Sequence, residues 1–579
     1  MQTNDQIATE ILRSKFEAIV AEMQATLVST AYSAPISSAM ECASALFTEA
    51  GRLVAVDNPL YMYSMAMTAA KVIDRFQYEM SGEDILVTND PFGGATRLQN
   101  FTIIVPVVHG DSIVLYLGIS GHTEDIGGDM RGNFNPRATE LWAEGVRCPP
   151  VKLYRDGKLR KDMLETLCLN SRNPNAFRLD LEAMIAAANI GRRRLADLFG
   201  QYGLAAVLSA AEWVLEYSNR RSRALIGRLP VGRYEGQSML AHDCQGHVNL
   251  SIKVAVTIDD QRLVIDFTGT DPQTTSFVNS PLAATYAFAV LGVLVALGSN
   301  VPRNAGFMDA IEIVAPEGTL VNPRYPAPIG WAMQHLGHEI ASAVLEALQR
   351  AVPDSVAKMT ANAPLLFAIS HQIRHGCTVE QTEFIELSHF TQGGCDGANG
   401  RDGWGMPGVA AHVPLPSIEL YEAGGRGRVE KFEYLIDTSE AGAFRGGPAT
   451  EAVIVLPKPA VGELHLTACL IASDSANEEG DRSVGNAIEI TIGNEKTAIK
   501  DVMIDRRLDA DARIAITMGG GKGWGNPCDR PAELVRADVL NGLVSFEAAL
   551  RDYGVVLDRA SLSIMEAETQ RQRAEMARA

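Results

Sequence analysis

Glycine-rich segments near the C-terminal end of this 579-residue chain constrain its fold more than any other feature. Five glycines fall within Gly519–Gly525, and Pro527 follows them. Glycine loses more conformational entropy on folding than other residues, so such a run indicates a special backbone path. Similar stretches recur from Phe390 onward. Chains without Cβ atoms can approach each other closely, and the sequence predicts such packing, with ordinary surface turns as the alternative.

Before this region, apolar periodicity predicts both helices and strands. Ile7, Leu12, Phe16, Ile19, Met23 and Leu27 recur at helical spacing and predict a long first helix. A hairpin is expected around Gly51, and two buried strands are expected on either side of the turn 109–111. This arrangement places His122 at the exit of a strand.

The chain is long enough for two or three packed domains of α+β class. We expect an N-terminal helical and β region over 1–228, a central α+β region over 229–385, and a glycine-rich region with strands and terminal helices over 386–579. Pro230 and Gly232 mark the first boundary. Helices are also predicted from Pro281 to Gly298 and from Trp331 to Ala351.

Charge and apolar patterning exclude several classes of partner. A formal net charge of −19 without a basic cluster argues against nucleic acid. The first 20 residues lack the pattern of a secretory signal, and apolar runs stay too short for a membrane span. The eight cysteines form no CxxC pair, which is typical of reduced thiols. We therefore expect a cytoplasmic protein that acts on a small molecule.

The segment His122-Thr-Glu-Asp125-Ile-Gly-Gly is the strongest candidate for chemistry. A histidine and a carboxylate three residues apart at a strand exit can both turn toward one divalent ion. The alternative is that His122 only forms a hydrogen bond in the core.

Several unusual sequence words occur in an order that resembles the hydantoinase B family. They are the run from Val87 to Tyr154 with its Asn-Asp-Pro and HxxDIGG elements, NSRNP at Asn170, DFTGTDPQ at Asp266, PEGTLVNP at Pro316, FRGGPA at Phe444 and the glycine run at Gly519. The family includes oxoprolinase halves and ketone carboxylase subunits. Together these words cover nearly the whole chain.

The resemblance implies a metal site in which this chain is altered. Hydrolytic members bind a metal at the HxxD element, with an earlier Asp and a His in a Gly-Gly-Thr-His-Leu-Pro-Asp element. Here the earlier Asp is Glu41, the expected His is Arg97, and the expected Asp is Asn100. Arginine has no lone pair to offer a metal. Either Glu41, His122 and Asp125 hold a divalent ion such as zinc or manganese with water, or Arg97 replaces the ion and binds an anionic substrate.

The resemblance also implies a fold and a partner. The expected fold combines barrel-like β-sheets with a glycine-rich bundle of polyproline-like extended segments. No phosphate-binding GxxxxGK[ST] loop occurs in the sequence: the glycine run around Lys522 has the wrong spacing, and Trp524 stands where a hydroxyl would coordinate magnesium. The resemblance implies that ATP and magnesium are bound by a separate hydantoinase A-type subunit with an actin-like fold, and hence a hetero-oligomer.

Three functions fit this sequence. The first is ATP-dependent hydrolysis of a cyclic amide (a hydantoin, a lactam or 5-oxoproline), with Arg97, His122 and Asp125 as catalytic residues. The second is an ATP-dependent ketone carboxylase subunit in which Arg97 holds the carboxyl donor. The third is a scaffold without catalysis. Metal content separates the first from the third, and a bicarbonate requirement identifies the second.

Two further groups of residues carry weaker signals. His335, His338 and Glu339 lie where a helix would place them on one face, so they suggest a second metal pair or a solvated helix start. Arg172 suggests either a carboxylate clamp for substrate or a salt bridge within the fold.

Overall fold

A computed structural model describes most of the chain in two compact units. The described residues are 3–298, 302–353, 366–375, 378–386, 390, 393–405, 417–423, 427–456, 463–470, 484–508 and 511–578. The first unit comprises Met1–Ala347, Val379–Phe384 and Ala410–Pro414, and the second comprises Leu348–Thr378, Ile385–Val409 and Leu415–Ala579. The division into three regions stays a prediction.

A seven-stranded antiparallel sheet forms the base of the first unit. Its strands are β1 (Cys42–Thr48), β2 (Leu53–Val56), β3 (Ile85–Thr88), β4 (Asn100–His109), β5 (Ser112–His122), β6 (Val151–Arg155) and β7 (Lys158–Leu159). They lie in the order β2-β1-β5-β4-β3-β6-β7. The predicted hairpin around Gly51 and the two strands around 109–111 are confirmed.

Helices pack on this sheet and bury its apolar side chains. The helices of this part are α1 (Thr3–Thr30), α2 (Ala34–Ser37), α3 (Met62–Phe76), α4 (Lys161–Leu169), α5 (Pro174–Tyr202) and α6 (Leu204–Ile226). Helix α1 contacts α5, and Phe16, Met23 and Leu27 of α1 belong to the shared core. The predicted first helix is therefore confirmed, although Ile7 of its predicted apolar face is exposed.

A second sheet follows in the first unit. It contains β8 (Gly232–His242), β9 (Val248–Asp259), β10 (Arg262–Asp266) and β11 (Ile311–Val314), in the order β11-β10-β9-β8. Three helices accompany it: α7 (Leu282–Leu297), α8 (Ala305–Met308) and α9 (Leu336–Ala351). The helix predicted from Trp331 begins only at Leu336, because residues 331–335 form turns.

Two further open sheets lie in the C-terminal half. One has the order β13-β12-β16-β19 and the other β14-β15-β20-β17-β18. These strands are β12 (Leu366–His375), β13 (Thr378–Glu386), β14 (Arg428–Tyr434), β15 (Thr450–Val455), β16 (Glu463–Cys469), β17 (Ala487–Ile492), β18 (Glu495–Ile499), β19 (Val502–Leu508) and β20 (Arg513–Met518). None of the sheets among the described residues closes into a barrel, which corrects the expectation of barrel-like sheets.

Helices α11 (Ala532–Leu540), α12 (Phe546–Tyr553) and α13 (Glu566–Met576) follow strand β20. A short helix, α10 (Ile418–Ala423), lies earlier in the chain and precedes β14. Ser545 caps α12 by accepting a hydrogen bond from the backbone N–H of Ala548 at 3.1 Å. The predicted cap and helix are confirmed.

Glycine-rich segments in the second unit pack backbone against backbone. A Cβ on Gly521 would lie 1.9 Å from the carbonyl oxygen of Cys395, and one on Gly446 would lie 2.0 Å from that of Gly521. A Cβ on Gly447 would lie 2.1 Å from the oxygen of Trp404. Surface turns are therefore the wrong interpretation for these glycines. The polyproline-like geometry stays a prediction, and 406–416 and 424–426 lie outside the described residues.

Within the described residues, no single helix is both long and apolar enough to cross a membrane. The successive helices α5 and α6 pass the same test only as a pair, and they are bent by 110° relative to each other.

We predict that Gly521→Ala destabilises the second unit strongly. The added methyl would overlap a backbone carbonyl, which cannot move aside as a flexible side chain can. Gly200→Ala is the control, because nothing lies within 4 Å of a Cβ there and alanine favours the helix by up to about 1 kcal/mol. Thermal unfolding should show a large decrease in Tm for the first variant and none for the second. Equal Tm values would contradict the packing described above.

Candidate active site

Three of the predicted residues converge at one end of the first sheet. Glu41 directly precedes β1, Arg97 lies in the loop before β4, and His122 is the last residue of β5. The backbone N–H of His122 donates to the carbonyl of Glu41 at 3.0 Å. Asn100, the first residue of β4, pairs with His122 in the strand register. Sheet pairing thus brings together residues that are up to 81 positions apart in the chain.

A buried ion pair joins Arg97 to Glu41. Nη2 of Arg97 donates to Oε2 of Glu41, and the two side chains are 6% and 9% exposed. Nε of Arg97 donates to Oδ1 of Asn100 at 3.3 Å. The other terminal nitrogen of Arg97, Nη1, has no partner within the described part of the chain. The guanidinium therefore keeps donors available for an anionic group.

Asn100 determines which nitrogen of His122 carries the proton. The amide Nδ2 of Asn100 donates to Oγ1 of Thr96 at 2.7 Å, so Oδ1 faces Arg97 and His122. Nδ1 of His122 lies 3.1 Å from this oxygen and 3.7 Å from Oε2 of Glu41. Both neighbours are acceptors, so Nδ1 holds the hydrogen. In the neutral ring this leaves the lone pair on Nε2.

Asp125 forms a different set of contacts. Its Oδ2 lies 3.0 Å from Nη1 of Arg172, and its Oδ1 accepts from the backbone N–H groups of Arg172 at 2.8 Å and Gly127 at 3.0 Å. Arg172 also donates to the carbonyls of Gly127 and Gly128. The DIGG turn and the NSRNP segment are thus held together by the salt bridge between Arg172 and Asp125 and by the hydrogen bonds of Arg172 to this turn. This is the intramolecular alternative expected for Arg172.

The metal prediction for Glu41, His122 and Asp125 does not agree with this geometry. Within the described ranges, no group of three or more His, Cys, Asp or Glu side chains is placed to hold a metal ion. The carboxylate of Glu41 forms a salt bridge with Arg97, and that of Asp125 forms one with Arg172. Protonated guanidinium groups cannot be ligands. The donor set therefore favours the second alternative, in which Arg97 supplies the positive charge.

Sequence reasoning did not recognise the role of Asn100. The residue was interpreted only as a lost carboxylate ligand, whereas its carbonyl contacts both Arg97 and His122. The signal was present, because Arg97 and Asn100 both differ from the residues that the family resemblance implies at these positions.

A second polar group lies in the turns before α9 and in its first turn. Nδ1 of His335 lies 2.9 Å from Oε1 of Glu339, and both side chains are buried. Several buried atoms here have no hydrogen-bond partner within the described chain: Trp331 Nε1, Gln334 Oε1, His335 Nε2, His338 Nε2 and Glu339 Oε2. His335 therefore bonds to Glu339, and the predicted second metal pair does not form a donor set among the described residues.

A match to a family model identifies the family of this chain. The family model described as hydantoinase B/oxoprolinase matches residues 5–527. The chain belongs to this family.

Two curated relatives show the same extent of similarity. The beta chain of caprolactamase from Pseudomonas jessenii is 29% identical over 572 residues, which cover 96% of this chain and 97% of the relative. The B component of a putative D-/L-hydantoinase from Pseudomonas sp. (strain NS671) is 28% identical over 574 residues, covering 96% and 95%.

Solved structures share the fold. The ATP-dependent caprolactamase from Pseudomonas jessenii superposes with a TM-score of 0.88 at 26% identity, covering 99% of this chain and 100% of that one. A nucleotide-free acetone carboxylase superposes with a TM-score of 0.85 at 16% identity, covering 99% and 83%. The second likeness shows the fold alone.

We predict that acid destabilises the wild-type protein partly through His338. Burial, and secondarily His335, lowers the pKa of His338 from 6.5 to about 3. Between these values the unfolded chain binds a proton that the folded chain excludes, so this part of the stability is present above pH 6.5 and is lost as the pH falls toward 3. Unfolding midpoints between about pH 7 and pH 4 should fall less steeply for His338→Gln. Parallel pH profiles would contradict this account.

Proposed function

We propose that this chain is the B-type subunit of an ATP-dependent enzyme that opens a cyclic amide, and that Glu41, Arg97, Asn100 and His122 form its reaction site. The observation that carries the proposal is His122, whose Nδ1 is fixed by Asn100 beside a cationic group. Caprolactamase and hydantoinase subunits are relatives over the whole chain, which supports the cyclic amide. The nucleotide belongs on a hydantoinase A-type partner subunit with an actin-like fold.

The chemistry requires activation because amide resonance makes the ring carbonyl a poor electrophile. When the partner subunit phosphorylates the amide oxygen of the substrate, the ring carbon becomes more electrophilic. Water then adds to the ring carbon, and Nε2 of His122 accepts its proton. The ring C–N bond breaks, the nitrogen takes up a proton, and a second water releases phosphate from the acyl group.

Arg97 provides the positive charge for this step. Its guanidinium is held by Glu41 and by the Oδ1 atom of Asn100, so it does not reorganise when negative charge develops on the substrate. Its Nη1 group is the donor assigned to the phosphate oxygens. In this proposal Asp125 is a positioning residue, because its contacts hold the turn that follows His122.

The ketone carboxylase alternative shares the fold but lacks a specific observation at this site. ATP turnover with the partner subunit distinguishes the two. Caprolactam, hydantoin and 5-oxoproline should be assayed for ring opening coupled to ADP formation. Turnover that requires a ketone and bicarbonate, with none of the three rings opened, would replace this proposal by the carboxylase.

We predict that His122→Ala lowers kcat by about 10²–10⁴-fold, the usual range for loss of a general base. KM should change little, since the ring nitrogen acts on water rather than on the bound ring. Added imidazole should restore part of the rate. His247→Ala is the matched control, because His247 is half exposed and contacts Asp243 rather than this site. Full activity of His122→Ala would remove His122 from the mechanism.

We also predict that the wild-type complex carries no metal on this chain. Arg97→His together with Asn100→Asp would restore the two donors that the family pattern places there, and this variant should gain a metal ion. Metal content measured on the separated subunits tests both statements. If the wild-type chain carries a stoichiometric metal and His122→Ala does not, this proposal is wrong and Glu41, His122 and Asp125 form a metal site.

A further inference from the structure

A cavity of about 630 Å³ opens in the first unit, apart from the residues of the reaction site. It is bounded by α1, by the end of β2, by α6 and by the segment 302–304. Its volume lies within the range of small-molecule sites in proteins. Apolar side chains from three elements contribute to its walls: Phe16 and Val20 of α1, Val54 of β2 and Val214 of α6.

Asp57 is the chemically distinct residue of this cavity. It directly follows β2, and its Oδ1 accepts a hydrogen bond from the backbone N–H of Ser44 at 2.6 Å. Its Oδ2 is buried and has no partner within the described chain. No basic side chain pairs with Asp57 among the described residues. An uncompensated buried carboxyl group is costly, so such groups are usually paired with a cation or a ligand.

Several other charged residues line the cavity, and none of the salt bridges among the described residues involves Asp57. Glu10 and Glu17 line the same space and pair with Arg13, which neutralises that guanidinium. Arg303 also lines the cavity and is exposed, with no partner in the described part of the chain. The cavity thus combines a carboxyl group, apolar walls and an exposed guanidinium. This combination matches a molecule with a cationic end, a hydrocarbon chain and an anionic end.

We propose that the cavity binds a linear amino acid by its primary ammonium group, with Asp57 as the counter-ion. The ammonium pairs with the carboxyl group of Asp57, the methylene chain follows the apolar wall that includes Phe16 and Val54, and the carboxylate reaches Arg303. The proposal that Asp57 binds an ammonium group depends only on the residues of the cavity. The choice of an ω-amino acid rests on the proposed function, because opening a lactam yields that class of product.

Ionisation of Asp57 should control this binding. Burial raises the pKa of Asp57 to about 7, against the effect of backbone N–H groups. The charged groups that line the same cavity are Glu10, Arg13 and Glu17 on α1, Arg221 on α6 and Arg303. The thiol of Cys42 on β1 is uncharged at neutral pH, because burial raises its pKa to about 12. A cationic ligand should therefore bind more tightly as the pH rises from about 6 to about 8.

Calorimetry on the full-length chain tests the proposal with three probes: 6-aminohexanoate, hexylamine and hexanoate. We expect the two amines to bind and hexanoate not to bind. Asp57→Asn should weaken amine binding at least about tenfold, equivalent to about 1.4 kcal/mol, and should abolish its pH dependence. Glu17→Gln, which alters an exposed and already paired carboxylate of the same cavity, should stay within about twofold of wild type.

The outcomes separate the parts of the proposal. Equal binding by wild type and Asp57→Asn, or no binding of either amine, overturns the ammonium site. Binding of hexylamine without 6-aminohexanoate keeps the ammonium site and overturns the amino acid. The measurement uses neither ATP nor turnover, and His122→Ala should bind the amines like wild type. Failure here is therefore distinct from failure of the proposed reaction. Thermal unfolding of Asp57→Asn checks that the variant is folded.

Discussion

The buried pair of Arg97 and Glu41 is the interaction on which the candidate site depends. Two opposite charges that are almost completely removed from water must satisfy each other, because either one alone would carry a large desolvation cost. The pair therefore fixes the loop before β4 against the residue before β1. Asn100 extends this arrangement to His122 and determines its tautomer. A site built this way holds its positive charge covalently, through an arginine side chain, whatever ions the solution contains.

The family fold and the local chemistry diverge in an instructive way. The whole chain superposes on a caprolactamase with a TM-score of 0.88, yet residues 97 and 100 depart from the ligand pattern that the family resemblance implies. Function resides in sites placed on folds, so such a departure can change the mechanism without disturbing the architecture. Here the two positions hold Arg97 and Asn100, and the guanidinium of Arg97 donates to Asn100 and to Glu41.

Local patterns predicted much of the fold, and non-local contacts account for what was missed. Helical spacing gave α1, and alternation gave β4 and β5, because both patterns report short-range periodicity. The start of α9 was placed five residues early, since the segment 331–335 contains no glycine or proline and its local pattern does not distinguish a turn from a helix. Barrel closure depends on which strands pair, and no local pattern records that. Asp125 was assigned to the metal because its spacing from His122 permits it, but its partner Arg172 lies 47 positions away and could not be chosen from spacing.

The packing of the glycine segments has a consequence for the order of events during synthesis. Gly521 contacts the backbone of Cys395, and Gly446 contacts that of Gly521, so three stretches far apart in the chain complete one another. The stretch around Gly521 leaves the ribosome after the stretch around Cys395, from which it is 126 positions distant in the sequence (521 − 395). The sheet that contains β14 and β15 therefore cannot be completed until β20, the neighbour of β15, has been synthesised. The first sheet, in contrast, can form as soon as β7 has emerged. Truncation of the chain before Gly521 should accordingly disturb the packing around Cys395 and Gly446, which are synthesised earlier.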